Sequence, residues 1–233
     1  NTLDYSDFTT SVTVELSTFN ASHLKSVVGI RDIVGGQAGD FLTGDNGDNH
    51  ITGGPGNDSL VGLGGDDRYI FSGAVWGIDT LTEAGGSGTG QDTLDFSGST
   101  VDLTFGFGAL QVTGGGNTVN LVNNNFERIL GGTVTDFFIF SNGFTLAGGG
   151  AGTFIDGGAG VNTLDYSAYT TSVNVNLTTN AATGVNSGLV GGILNIQNAI
   201  GGSAGDILVG SGQANILVGN NGPDQITGNA GSD

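Results

Sequence analysis

Large apolar residues recur every nine positions in two glycine-rich parts of this 233-residue chain. Each one stands near the end of a nonapeptide, after glycines and small polar residues. This pattern predicts a tight turn followed by a very short strand with one inward-facing side chain. The inward residues are Leu42, Ile51, Leu60 and Tyr69 in the first array and Leu208, Leu217 and Ile226 in the second.

Elsewhere apolar and polar residues alternate with a period of two, as in strands that bury one face. Leu3 and Tyr5 follow this alternation, and so do Val12, Val14 and Leu16. We interpret these segments as broader coils of the same structure. No segment has the spacing of an amphipathic helix, so the chain is predicted to be all-β.

A long repeat organises the chain. The sequence NTLDYSDFTTSVTVEL at 1–16 returns as NTLDYSAYTTSVNVNL at 162–177, and a fainter copy, DTLDFSGSTVDLTF, begins at Asp92. Each copy is followed by a second landmark, which first occurs as IRDIVGGQAGDFL from Ile30. The repeat therefore divides the chain into a first unit at 1–161 and a second, truncated unit at 162–233.

Nonapeptides lie within both units. From Gly35 to Ile70 the chain reads GGQAGDFLT, GDNGDNHIT, GGPGNDSLV and GLGGDDRYI, and from Gly201 to Asp233 it reads GGSAGDILV, GSGQANILV, GNNGPDQIT and GNAGSD. Further nonapeptides are SGTGQDTLD at 87–95 and GGAGVNTLD at 157–165. Residues 72–156 are expected to form degenerate coils, and the whole chain is expected to form one continuous solenoid.

These nonapeptides resemble the GGxGxDxUx repeats of RTX (repeats-in-toxin) proteins, in which U is a large apolar residue. The wider order, TLDYS, then SVTVEL, then an I-x-x-I-x-GG landmark and nonapeptides, resembles that of very large secreted RTX proteins and adhesins. The resemblance and the spacing together predict a right-handed parallel β-helix, or β-roll, solenoid, in which each coil stacks on its neighbours.

Acidic turn residues are the candidate metal ligands. Two nonapeptides complete one coil, so turns on one edge lie 18 residues apart, and their carboxylates would repel across about 4.8 Å without a cation. Ca²⁺ takes oxygen ligands at distances that suit this gap, and the resemblance implies that turn carbonyls complete its shell. The candidates in the first array include three pairs that are expected to stack: Asp40 on Asp58, Asn49 on Asp67, and Asp48 on Asp66. Asp45 and Asn57 are further candidates nearby.

The second array repeats this arrangement with fewer charges. Its expected pairs are Asp206 with Asp224 and Asn215 with Asp233. The residues at position five are neutral here, so we expect weaker calcium sites than in the first array. The alternative to metal binding is that these Asp and Asn residues are ordinary turn formers.

Composition excludes several classes of protein. The chain has 47 glycines but only 2 prolines, and glycine has no strict three-residue period, which excludes collagen. A content of 36% hydrophobic and 11% charged residues argues against disorder. A net charge of −18 with 4 basic residues excludes a nucleic-acid partner. No apolar run is long enough for membrane insertion, and without cysteine there are no disulfides or thiolate sites.

Other polar residues are expected to have no catalytic role. We expect Asp4, Asp95 and Asp165 to be solvated strand residues, and His23 and His50 to be surface residues. The four basic residues are dispersed in the sequence, unlike the basic cluster that a polysaccharide lyase needs. Threonines at position nine are interrupted by Val and Ile, which argues against ice binding. No catalytic residues are predicted, and the chain is not expected to be an enzyme.

Two functions fit these observations. The first is a calcium-binding structural segment of a long secreted repeat protein, such as a fibre, surface layer or adhesin stalk. The second is a calcium-responsive folding and secretion module of an exported enzyme or toxin whose active domain lies outside this sequence. Both place the chain outside the cell or at its surface. Because Asn1 and Asp233 both interrupt a nonapeptide, we also expect the stack to continue in a longer chain or by end-to-end self-association.

Overall fold

The computed structural model describes residues 1–83, 90–146 and 152–233, and these residues are built almost entirely of β-strands. Short 3₁₀ turns lie at Leu16–Thr18 and Asn186–Gly188. No helix in the described ranges is long and apolar enough to cross a membrane. The prediction of an all-β chain is confirmed for this part of the sequence.

Three sheets are formed by the described strands. The first, in spatial order, contains β1 (Thr2–Asp4), β4 (Asp32–Val34), β6 (His50–Thr52), β8 (Arg68–Gly73), β10 (Thr93–Ser99), β14 (Arg128–Leu130), β16 (Phe154–Asp156) and β20 (Ile193–Leu194). The second contains β23 (Leu217–Val218), β21 (Asn198–Ile200), β17 (Thr163–Asp165), β15 (Asp136–Ile139), β11 (Leu103–Gly106), β12 (Gln111–Gly114), β13 (Asn117–Leu121), β9 (Ile78–Thr82), β7 (Ser59–Val61), β5 (Phe41–Thr43), β2 (Thr13–Glu15) and β3 (Asn20–Ala21). The third contains β19 (Ala181–Ala182), β18 (Asn174–Asn176), β22 (Ile207–Val209) and β24 (Gln225–Thr227).

Consecutive strands from β4 to β11 alternate between the first and second sheets, and within each sheet most neighbours are parallel. Phe41 pairs with Ser59 and His50 with Arg68, so one coil of the first array takes 18 residues. This is the period expected when two nonapeptides complete a coil. The arrangement is consistent with an RTX β-roll; its right-handed winding stays a prediction.

The apolar residue is buried in most of the nonapeptide strands. Leu42, Ile51, Leu60 and Tyr69 of the first array and Leu208 of the second have no measurable solvent exposure. The expectation is wrong for Ile226, which is 49% exposed, because β24 pairs only with β22 and lies at the edge of its sheet. Leu217 is partly buried.

The long repeat is also a structural repeat. Strands β2 and β18 each form an antiparallel hairpin with the next strand, β3 and β19. In the first copy the Tyr5 hydroxyl donates to the backbone carbonyl of Ser22 at 2.5 Å, and in the second the Tyr166 hydroxyl donates to that of Thr183 at 2.7 Å. The equal spacing of residues in the two copies therefore reproduces both the strands and the tyrosine contact that closes the hairpin.

One segment departs from the expected parallel coils. Strands β11, β12 and β13 form an antiparallel meander within the second sheet. Gly115 and Gly116 join β12 to β13 with positive φ angles of 57° and 87°, and two such glycines favour a tight hairpin turn over a crossover to the other sheet. The degenerate coils predicted for 72–156 are therefore interrupted here. Within that stretch, 84–89 and 147–151 lie outside the described residues, as do the first three residues of the 87–95 nonapeptide.

Aromatic rings fill the core beyond the first array. Phe71 stacks on Phe96 with centroids 4.7 Å apart, Phe96 contacts Phe105 at 5.4 Å, and Phe105 stacks on Phe138 at 4.6 Å. These contacts link the first sheet to the second. They supply buried apolar area where the coils are wider than nonapeptides.

Candidate metal-binding turns

The aspartates at position six of the nonapeptides link one coil to the next. The Oδ1 atom of Asp40 accepts a hydrogen bond from the backbone N–H of Val12 at 2.8 Å, and Asp58 accepts one from the N–H of Asp40 at 2.8 Å. Asp79 continues the series by accepting from the N–H of Asp58 at 2.8 Å. We call such a row of side-chain to backbone bonds a carboxylate ladder.

A second ladder lies on the other turn edge of the same coils. Asp67 accepts from the N–H of Asn49 at 2.7 Å, and Asp92 accepts from the N–H of Asp67 at 2.8 Å. Glu127 then accepts from the N–H of Asp92 through Oε2 at 2.8 Å. The predicted stacking of Asp40 on Asp58 and of Asn49 on Asp67 is thus the actual arrangement of these residues.

The second array has the same geometry. Asp206 accepts from the N–H of Val173 at 2.9 Å, and Asp224 accepts from the N–H of Asp206 at 2.9 Å. Asp233 accepts from the N–H of Asn215 at 2.9 Å. Asp206 and Asn215 are buried, whereas Asp224 is only partly buried and Asp233 is exposed.

The first glycine of a nonapeptide is required by the side chain five residues later. A Cβ on Gly35 would lie 2.5 Å from the Oδ2 atom of Asp40 and 2.3 Å from the backbone carbonyl oxygen of Gly53 in the next coil. Real Cβ atoms do not approach other heavy atoms this closely. The spacing between glycine and aspartate in the motif therefore reflects a side chain that folds back over its own turn.

The second residue of a nonapeptide decides whether the other carboxylate oxygen has a partner. The N–H of Gly36 donates to the Oδ2 atom of Asp40 at 2.5 Å, so both oxygens of Asp40 accept backbone hydrogen bonds. At the same position Gly54 and Leu63 have positive φ angles of 92° and 83°. Their turns leave the Oδ2 atoms of Asp58 and Asp67 without such a bond.

Three ladder aspartates therefore carry a buried oxygen with no hydrogen-bond partner. These atoms are the Oδ2 atoms of Asp58, Asp67 and Asp79. Burial raises the pKa of Asp58 and Asp67 to about 7 and that of Asp79 to about 8. A buried acceptor without a donor costs roughly 1–3 kcal/mol. A divalent cation with oxygen ligands would satisfy these atoms and compensate their charge, so the turns of the first array fit calcium.

The residues at position five of the nonapeptides, and also Asp45, make different contacts from the ladder residues. Asp48 accepts from the N–H of Asp66 at 2.9 Å, which confirms that the two are stacked, but both side chains are exposed. Asn57, also exposed, accepts from the N–H of Ile78 at 3.0 Å. The carboxylate of Asp45 accepts from the N–H of Gly47 within its own turn. Metal binding by these four residues stays a prediction, as it does for the other candidate ligands.

Ladder residues outside the two arrays were missed as candidates. Asp92 is the sixth residue of the separate nonapeptide at 87–95, whereas Asp79, Glu127 and Asp136 have no GGxGx sequence before them. Each of the four stands two residues before a buried apolar strand residue, as Asp58 does before Leu60. An acidic or amide residue at that spacing was the signal that could have identified them.

At Asp136 and Asn162 the ladder is satisfied by the protein alone. Asp136 accepts from the N–H groups of Leu103 and Gly132 at 3.0 and 2.7 Å. Asn162 accepts from the N–H of Asp136 at 2.9 Å and directs its side-chain amide to three backbone carbonyls, those of Gly157, Ala159 and Asn195, at 2.8, 3.1 and 2.9 Å. The amide of Asn162 is thus surrounded by oxygens, as a cation would be.

Two expectations about polar residues are corrected by the structure. Asp95 is not solvated: it is 4% exposed and forms an ion pair with Arg68 at 2.6 Å, because Arg68 of the neighbouring strand covers it. The basic residues are also less dispersed than in the sequence, since Arg68, Thr93 and Arg128 are consecutive partners across the first sheet.

The remaining polar expectations agree with the structure. Asp4 is exposed and Asp165 partly exposed. His23 is exposed, with its ring 5.1 Å from that of Phe8, and His50 is partly exposed beside Asp32 at 3.2 Å.

Comparison with known proteins agrees with this geometry. The family model of the RTX calcium-binding nonapeptide repeat matches the chain in four copies, over residues 34–69 and 200–233. No curated protein matches the chain. The chain therefore contains RTX calcium-binding nonapeptide repeats, and its ladder aspartates Asp40, Asp58, Asp67, Asp206 and Asp224 lie within them.

Proposed function

We propose that this chain is a calcium-dependent structural segment of a long secreted repeat protein. The observation that carries the proposal is the set of buried, partnerless oxygens on Asp58, Asp67 and Asp79. They stand on coils that contain RTX nonapeptides, in a chain with a net charge of −18. Bound calcium supplies the positive charge that the 4 basic residues cannot provide.

Calcium would control whether the coils form. Glycine-rich turns lose much conformational entropy on folding, and the ladder places carboxylates on adjacent coils. Metal binding to a site that exists only in the folded state contributes directly to folding free energy. Where free calcium is low, as in the cytosol, the chain would remain unfolded and exportable; outside the cell the ladders would close.

A structural role is favoured over a secretion module by the repetition of whole coils. Strands β1, β2, β4 and β5 of the first unit recur as β17, β18, β21 and β22 in the second, with the same tyrosine contact. A tandem array of long units is typical of a stalk or fibre. The role we propose is not catalytic, since the buried acids hold neighbouring coils together.

Circular dichroism and thermal unfolding of the whole chain test the proposal. In millimolar calcium we expect a β spectrum and a cooperative transition, and in EDTA we expect loss of both. Magnesium at the same concentration is the matched control and should restore little structure. A spectrum and melting temperature that are the same in EDTA and in calcium would contradict the proposal.

The sequence of the complete gene product would distinguish the structural segment from the folding and secretion module. Many tandem copies of the unit would support a fibre, surface layer or stalk. An upstream hydrolase or pore-forming domain, with this chain as its single repeat block, would support the folding and secretion module instead.

A further inference from the structure

Three buried carboxyl groups converge at the end of the first nonapeptide array. Asp67 precedes β8, Glu83 follows β9 and Asp92 precedes β10. One carboxylate oxygen of each lies within 4.8 Å of the other two, and the side chains are only 1–2% exposed. Glu83 and Asp92 lie outside the residues matched by the repeat model. We refer to these three residues as the Glu83 cluster.

An oxygen without a partner points into this cluster. Asp67 uses Oδ1 to accept the N–H of Asn49, while its buried Oδ2 has no hydrogen-bond partner. A Cβ on Gly62 would lie 2.2 Å from this Oδ2 atom and 2.7 Å from the Oε2 atom of Glu83. The two oxygens therefore lie over the same face of the Gly62 backbone, which leaves Oδ2 directed toward Glu83.

The cluster is held in place by hydrogen bonds from neutral donors. The Tyr69 hydroxyl donates to Oε2 of Glu83 at 2.5 Å, and the side-chain amide of Asn123 donates to the backbone carbonyl of Glu83. The N–H of Asp67 donates to Oδ1 of Asp92 at 2.8 Å. These donors are uncharged, so their contacts hold the acids in place without adding positive charge.

The nearest basic residues in the sequence have other partners. Arg68, directly after Asp67, forms its ion pair with Asp95 at 2.6 Å. Arg128 donates to the side-chain oxygen of Gln91 and lies over the ring of Phe154. A small cation, rather than a guanidinium group, would therefore compensate the negative charge of the cluster.

We propose that the Glu83 cluster is an additional calcium site, in which a glutamate from outside the motif takes the place of a nonapeptide turn. Its ligand atoms are all oxygens, and calcium tolerates irregular oxygen shells, whereas magnesium requires near-octahedral geometry. The site extends the metal-bound edge from the array into the wider coils that begin at β9 and β10. This inference rests on the proposed calcium-binding function and adds one site to it.

Counting bound calcium in the intact chain tests the inference. Glu83→Gln keeps the acceptor for Tyr69 but removes the charge, and Glu15→Gln is the matched control, because Glu15 lies outside the cluster and accepts from Thr18. Native mass spectrometry in calcium should show one fewer ion for Glu83→Gln and no change for Glu15→Gln. An unchanged count for Glu83→Gln would overturn the site, whereas absence of calcium from the unsubstituted chain would overturn the proposed function.

Terbium luminescence provides a second readout that does not alter any acid. Because the Tyr69 hydroxyl contacts Glu83, terbium bound in the cluster would be sensitised by that ring. Tyr69→Phe should therefore remove a large part of the tyrosine-sensitised emission. Tyr169→Phe, which loses a hydroxyl that donates to the Phe144 carbonyl instead, should not. Equal emission from the two variants would count against the site even if Glu83→Gln failed to fold.

Discussion

The carboxylate of Asp58 accepts a hydrogen bond from the backbone N–H of Asp40, the equivalent residue one coil earlier, at 2.8 Å. This bond explains why the acid belongs to the motif even before a metal is considered, since one oxygen ties two coils together. The second oxygen of Asp58 is buried without a partner. The same side chain therefore serves both as a structural link and as a candidate calcium ligand.

Calcium dependence should be stronger in the first array than in the second. Asp58 and Asp224 accept equivalent ladder bonds at 2.8 and 2.9 Å, but Asp58 is 3% exposed and Asp224 only partly buried. We expect Asp58→Ala to raise the calcium midpoint of folding by about tenfold, equivalent to ~1.4 kcal/mol. Asp224→Ala should raise it by much less. Calcium titrations followed by circular dichroism measure both, and equal shifts would contradict the assignment of stronger sites to the first array.

Stability of the calcium-free chain should decrease as the pH rises. Burial raises the pKa of Asp58 and Asp67 to about 7 and that of Asp79 to about 8, from an ordinary value of 3.8. A carboxyl group with a raised folded-state pKa stabilises the fold below its unfolded pKa, and this contribution is lost as the pH rises through the folded pKa. Any structure retained in EDTA should therefore unfold at lower urea at about pH 8 than at about pH 5.

Calcium should reverse this dependence, because protons and calcium compete for the same oxygens. Calcium affinity is expected to rise between about pH 5 and about pH 8. Urea titrations in EDTA and in calcium at both pH values provide the comparison. A calcium-free chain that becomes more stable toward pH 8 would show that the buried acids do not control its stability.

Replacing Asn162 with aspartate should create a dependence on calcium in the wider coils. The amide of Asn162 donates to three backbone carbonyls, so Asn162→Asp would place a buried charge among oxygens. At the lowest calcium concentration that folds the unsubstituted chain, we expect a loss of about 3 kcal/mol in the free energy of unfolding, with partial recovery in saturating calcium. The control is Asn142→Asp, since the amide of Asn142 is exposed and donates to the Thr170 hydroxyl rather than to backbone carbonyls. Calcium that stabilises both variants equally would argue against a cation-like role for the Asn162 amide.

The first glycine of a nonapeptide should not tolerate a side chain. In Gly35→Ala the new Cβ would meet the backbone oxygen of Gly53 at 2.3 Å, which only a shift between coils could relieve. We expect a loss of about 2 kcal/mol or more in the free energy of unfolding. Gly212→Ala should change it by no more than about 0.5 kcal/mol, because nothing lies within 4 Å of that position. Urea unfolding in saturating calcium compares them, and similar losses would refute the steric argument.

The spacing of the nonapeptides predicted the site wherever the period stayed constant. Asp40 lies against Asp58 and Asn49 against Asp67 because equal repeats place equivalent residues in register on parallel strands. The ladder continues beyond the array with sequence separations of 21, 25 and 35 residues. Those partners could not be derived from a fixed period, since loops of different length separate the strands.

The sequence by itself determined the parallel strand pairing of the arrays, the inward positions such as Leu42 and Leu60, and the stacked acids, because all of these follow from local periodicity. Only the tertiary structure decided which acids have an unsatisfied oxygen and that Glu83 joins Asp67 and Asp92. The physical reason is that an oxygen's partners depend on the φ angle of a neighbouring turn residue, such as Leu63, and on which coil packs above it. Neither property is encoded in the spacing of a motif.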